Sequence, residues 1–178
     1  MKEYINNSDK TYFAGEKGFD DKEDRRAVIT MTKTCPVFND LIWNYFQLKE
    51  DEVYDIKQDP YRCKDVDLGI IRVSDRKVMG IIEVGVFNKW ESEKTFYYEK
   101  KGVLNRLKRK HRYCHYGLPY ISLDINKPRS CGILTLKETE LKYPETTWRV
   151  KDKYGNLKWE RGRQIILSET TKVGKWAA

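Results

Sequence analysis

The chain has 178 residues, 39% hydrophobic and 35% charged, with 35 Lys and Arg against 27 Asp and Glu and a net charge of +8. These totals suit one domain with a real core and a heavily charged surface, and the excess of cations favours an acidic partner, most often nucleic acid. No stretch approaches the ~20 apolar residues of a membrane-spanning helix and residues 1–10 lack a signal-peptide core, so a soluble, cytoplasmic protein with no membrane partner is expected.

Residues 1–26 are polar, and Asp20-Asp21-Lys22-Glu23-Asp24-Arg25-Arg26 reads as a solvated, mixed-charge arm with no chemistry assigned to it. Ala27 to Thr32 is expected to be a short β-like piece. Pro36 then opens a helix at the position where its missing N–H costs nothing, and Val37, Phe38, Leu41, Ile42, Tyr45 and Phe46 give that helix one apolar face. An irregular segment follows, through Asp59-Pro60.

The stretch from Asp65 to Phe87 organises the chain: a strand over Val66 to Val73, a polar turn at Ser74-Asp75-Arg76-Lys77, and a β-branched strand over Val78 to Phe87. A run as apolar as the second strand is covered on both faces, which buries Glu83. A carboxylate taken out of water needs a cation, a metal or hydrogen bonds facing it. Asp67 on the neighbouring strand cannot supply that charge, and two carboxylates brought together share a proton or bind a cation, for which a hard divalent metal is the economical answer.

Asn88 or Ser92 can cap a second helix, carrying Phe96, Val103, Leu104 and Leu107 at helical spacing and stopping near Gly117. From Glu99 to Tyr113 it holds Lys100, Lys101, Arg106, Lys108, Arg109, Lys110 and Arg112, a candidate phosphate-gripping surface beside the two acids, or a solvated helix face. Leu118 to Ile125 reads as a strand entering by a crossover, as parallel pairing requires, and Gly132 to Lys137 as a further strand. Thr146 to Val150, Leu157 to Trp159 and Arg163 to Ser168 look like a small antiparallel meander, a C-terminal β extension over about 144–170 added to a core over about 36–137. There Trp148, Tyr154, Trp159 and Trp176 lie among Arg149, Lys151, Lys153, Lys158, Arg161 and Arg163, either to stack on bases or, the favoured reading for the tryptophans, to pack.

Cys35, Cys63, Cys114 and Cys131 form no CxxC pair, and His111 and His115 have no second ligand pair at finger spacing, so reduced structural cysteines are expected rather than a zinc site. No serine–histidine–acid series, phosphate-binding glycine loop or dinucleotide fingerprint appears.

The order helix, strand with Asp67, strand with Glu83, basic helix, strand resembles the PD-(D/E)XK nuclease superfamily over roughly Pro36 to Ile125. The resemblance implies an α/β restriction-endonuclease-like αββαβ core, a mixed sheet flanked by helices, here with the C-terminal antiparallel β meander added. It implies a nuclease hydrolysing phosphodiester bonds of DNA, as endo- or exodeoxyribonuclease, with the choice between DNA and RNA left open by the residues, and Asp67 in DVDLG and Glu83 in IIEVG as ligands of Mg2+ or Mn2+. It also implies a homodimer as one possible assembly. The family expects lysine two residues after the second acid, where this chain has Gly85. Lys94 or Lys101, from the start of the basic helix, are the candidates to replace it; Lys89 lies about 20 Å along an extended strand from Glu83. Asp65 is a further candidate ligand, Asp40 is expected to face solvent, and Asp124 with Lys127 form an alternative acid and base. A catalytically inactive nucleic-acid-binding protein on the same fold is the alternative function, favoured by the missing lysine. An interaction or structural protein whose charge is incidental is the third.

Overall fold

The computed structural model describes residues 4–5, 19–58, 67–87, 103–107, 117–126, 129, 131–152 and 154–174. Strands are β1 (Tyr4–Ile5), β2 (Tyr54–Gln58), β3 (Leu68–Arg72), β4 (Val78–Phe87), β5 (Val103–Leu107), β6 (Tyr120–Asn126), β7 (Cys131–Leu136), β8 (Glu145–Lys151), β9 (Leu157–Ile166) and β10 (Thr171–Gly174). Helices are α1 (Phe19–Thr34), α2 (Pro36–Tyr45) and the short α3 (Lys137–Leu141).

The architecture is mixed α/β. Among the described residues a seven-stranded sheet runs in the order β1-β2-β3-β4-β6-β7-β10, and a second sheet of three strands in the order β5-β9-β8. The expected hairpin forms: β3 and β4 pair antiparallel through a turn in which Arg76 adopts a left-handed conformation (φ 62°) and Asp75 Oδ1 accepts the Lys77 N–H. β4 and β6 pair in parallel, as the crossover reading requires, with Glu83 in register with Ser122 and Gly85 with Asp124.

Alternation along the strands sorts the large sheet into two unlike faces. Tyr54, Ile56, Leu68, Ile70, Ile82, Ile121, Leu123, Ile125, Leu134 and Val173 form one core with Val28, Met31, Phe38, Ile42 and Trp43 of α1 and α2. The opposite face carries Asp55, Glu83, Ser122, Asp124 and Thr135, all buried. Part of its cover comes from the second sheet, because Ile165 of β9 and Leu167 pack with Ile133 of β7.

Several sequence expectations are corrected. The arm over 1–26 becomes helical at Phe19, and the β-like piece at Ala27 to Thr32 belongs to the same helix. Asp24, Val28 and Met31 recur at helical spacing on its buried side, so tertiary packing overrides β-branched propensity. The hydroxyls of Thr32 and Thr34 bond back to the carbonyls of Ile29 and Thr30, which satisfies them within the helix. β2 forms in the segment expected to be irregular, with Tyr54 and Ile56 facing the core. Val103–Leu107, expected within the basic helix, is a strand paired antiparallel with β9. The two C-terminal segments expected at Leu157 to Trp159 and Arg163 to Ser168 join as one strand, β9, which ends at Ile166 where a 3-10 turn over Leu167–Glu169 begins, and β10 returns to the edge of the large sheet beside β7.

Candidate active site

Two acids frame the site. Glu83 is the sixth residue of β4 and is 6% exposed, as the apolar run around it requires. Asp67 stands one residue before β3; the last β3–β4 pair is Leu68 with Ile82, so the register continued by one residue sets Asp67 level with Glu83. Where the backbone pairing stops, the Asp67 side chain takes it over: Oδ2 accepts the Val84 N–H at 2.9 Å.

The cation facing Asp67 is an arginine. Arg25 of α1 donates Nε and Nη2 to Asp67 Oδ1 at 3.0 and 2.6 Å, with the two side chains 14% and 17% exposed. Sequence reasoning placed Arg25 in a solvated arm. Its neighbour Asp24, 2% exposed, accepts Arg129 Nε at 2.7 Å, and Glu23 lies 3.1 Å from Arg129 Nη2. The start of α1 is thus tied on one side to the chain entering β3 and on the other to the turn leaving β6. The helical spacing of Asp24 with Val28 and Met31 was the available signal for this contact.

A third carboxylate joins the face. Asp124 of β6 is 5% exposed and lies in register with Gly85, two residues along β4 from Glu83. In a parallel pair, partnered residues project to the same side, so Glu83 and Asp124 share the buried polar face with Ser122 between them. In the sequence Asp124 stands as a lone acid on its strand; its pairing with Gly85 depends on a register set by long-range strand order.

Comparison with family models, curated proteins and solved structures returns no match.

The remaining site expectations divide. Asp40 is exposed, as expected, and Arg106 lies on strand β5 rather than on a helix. Lys94, Lys100, Lys101, Lys108, Lys110, Arg109 and Arg112, with Asp65, Lys89, Lys127, Cys63, Cys114, His111 and His115, lie outside the described residues. Cys35 and Cys131 are buried reduced thiols. Among the described residues no group of three or more His, Cys, Asp and Glu could hold a metal ion, and no helix is long and apolar enough to cross a membrane.

The donors in place are carboxylate oxygens, which suit a hard divalent cation. Magnesium commonly takes only one or two carboxylates and completes its shell with water and substrate phosphate. Such an ion would draw on oxygens of Glu83 with Asp67 or Asp124, and of these both Asp67 oxygens are already engaged, Oδ1 by Arg25 and Oδ2 by the Val84 N–H.

Proposed function

We propose that the chain is a divalent-metal-dependent nuclease that hydrolyses phosphodiester bonds of DNA on a restriction-endonuclease-like core. The observation that carries this reading is the placement of Glu83, buried on β4, with Asp67 level with it on the incoming β3 chain and parallel β6 on its other side. A helix, two antiparallel strands with an acid at or beside each, then a strand parallel to the second, is the order of the resemblance without its basic helix, whose described part, Val103–Leu107, is strand β5.

Asp67 and Glu83 would hold Mg2+ or Mn2+, which when bound supplies an activated water and stabilises charge on the attacked phosphate. The protein's own groups do the rest. Asp67 is oriented by the Val84 N–H and its charge balanced by Arg25, and the chain's surplus of cations draws a polyanion toward the site. Arg25 is also a competitor, because the oxygen it holds is one a metal would use.

The second reading is a nucleic-acid-binding protein without cleavage. Gly85 offers no group to orient water, and the Arg25–Asp67 pair satisfies an acid that a catalytic metal would otherwise claim.

The test is incubation of the protein with plasmid and single-stranded DNA and RNA in magnesium or manganese, then in chelator, beside Asp67→Asn and Glu83→Gln. The nuclease gives metal-dependent cutting that both variants lose. Salt-sensitive binding with no cutting of any of these substrates selects the second reading.

A further inference from the structure

We infer that the outward face of the β8–β9 hairpin is a base-stacking platform for single-stranded nucleic acid. The register sets Arg149 opposite Trp159, Lys151 opposite Leu157 and Thr147 opposite Arg161, so these six side chains share one face, and all are exposed. On the other face Trp148, Val150 and Glu160 are half-buried and Gly162 is buried. The hairpin thus keeps one tryptophan partly covered and presents another to water. Trp159 is 64% exposed, against the sequence expectation that the tryptophans here pack.

Trp159 has company. Leu157 beside it on the strand and Tyr154 in the turn are also exposed, which makes an apolar patch at the free end of the hairpin rather than a scattered residue. The Arg149 guanidinium lies 5.0 Å from the Trp159 ring centre. The guanidinium lies over the ring, so a nucleobase stacks by displacing it, and the released guanidinium is then placed to meet the phosphate.

Charge selects the occupant. The same face carries Arg149, Lys151, Arg161 and Arg163 against Glu145, which pairs with Arg161 at 2.8 Å, while Arg163 Nη1 donates to the Tyr143 carbonyl, so Arg149 and Lys151 are the cations nearest Trp159 and the face keeps a net positive charge. A second copy of this chain would set cation against cation. A duplex hides its base faces in its own stack, whereas an unpaired strand offers them, so the ligand is single-stranded. The platform also leads toward the buried acids: β9 runs from Trp159 to Ile165, which packs on Ile133, and Ile133 is in register with Asp124.

The inference deepens the nucleic-acid reading and rests on it for the class of ligand, but it does not need cleavage. The test is fluorescence anisotropy of a labelled oligo(dT) and of a labelled duplex, in chelator, with the full chain and its Trp159→Ala, Trp159→Phe and Arg149→Ala variants. Circular dichroism melts establish that each variant is folded. Trp159→Ala should weaken oligo(dT) binding roughly 10-fold or more while Trp159→Phe stays near the parent, because either ring can stack. Duplex binding should change little in either. Equal oligo(dT) binding by Trp159→Ala and the parent overturns the platform, as does an equal weakening of oligo(dT) and duplex binding. Cutting that is lost in Glu83→Gln while Trp159→Ala binds normally would sink this inference and leave the nuclease standing; weakened binding by Trp159→Ala in a protein that never cuts does the reverse.

Discussion

Arg25 and Asp67 lie 42 residues apart in the chain and meet through two hydrogen bonds to one carboxylate oxygen. The pair is too covered to count as a surface ion pair and too wet to count as a fully buried one. Removing the cation strands a carboxylate that retains the Val84 N–H, and Arg25→Gln should cost about 1–3 kcal/mol, between the exposed and buried limits. Urea unfolding measures it. In a double-mutant cycle the Arg25→Gln, Asp67→Asn protein should be less destabilised than the sum of the single changes.

The same pair sets a prediction for metal. If Asp67 is a ligand, its oxygen is released when Arg25 is neutralised, and Mn2+ should raise the melting temperature of Arg25→Gln more than that of the parent. Asp67→Asn should abolish the difference. An identical Mn2+ response in parent and Arg25→Gln would remove Asp67 from the metal site.

Tyr120 and Glu140 form a second covered contact, in which the Tyr120 hydroxyl donates to Glu140 Oε2 at 2.5 Å and holds α3 to β6. Glu140 is 1% exposed, so Tyr120→Phe takes a donor from a carboxylate that water cannot reach and should cost about 1–3 kcal/mol. Glu140→Gln keeps an acceptor for the hydroxyl and should cost less. Thermal melts of the two variants decide the order.

Asp75 gives a pH signature. Side-chain hydrogen bonds from Arg72, followed by the Lys77 backbone N–H, lower its carboxyl from an ordinary 3.8 to about 2. A carboxyl depressed in the folded state stabilises it above the unfolded value, and that contribution is lost as pH falls from 3.8 toward about 2. Asp75→Asn should therefore melt lower than the parent at neutral pH and converge with it at the acid end of that window. Parallel melting curves across the window would show that the turn does not depend on this charge.

The legible parts of this chain are those where local pattern and tertiary role agree. The β3–β4 hairpin follows from two β-branched runs around a polar turn, and α2 from Pro36 and the recurrence of Phe38 and Ile42, because nothing distant has to be known. Burial of Glu83 follows from the apolar residues on either side of it. The failures share a cause: Val28 and Ile29 favour strand locally but lie in α1 because the sheet's apolar face needs a helix over it. Val103, Leu104 and Leu107 satisfy helical spacing yet pair with β9, a partner nearly 60 residues away. Arg25 and Asp124 were visible as residues, but what they face depends on which strands adjoin, and strand order is a long-range property.

Gly85 is where the site and the resemblance part company, and it can be repaired. The position shares a face with Glu83 and lies in register with Asp124, which supplies a carboxylate beside any cation introduced there. Gly85 is half-buried, so lysine must displace neighbours, but its long stem can carry the ammonium toward the polar end of the strand. A group that orients water or stabilises charge at the reacting centre typically contributes 10²–10⁴-fold. Gly85→Lys should raise metal-dependent nicking of plasmid by roughly 10-fold or more over the parent, the lower figure allowing for imperfect placement. Adding Glu83→Gln should abolish the gain, and Asp124→Asn should reduce it by leaving the new cation without its neighbour. A folded Gly85→Lys protein that cuts no faster than its parent, with parent cutting also unchanged by Glu83→Gln, would mean that Glu83 does not face a phosphodiester, and the buried acids would then belong to the sheet's own electrostatics.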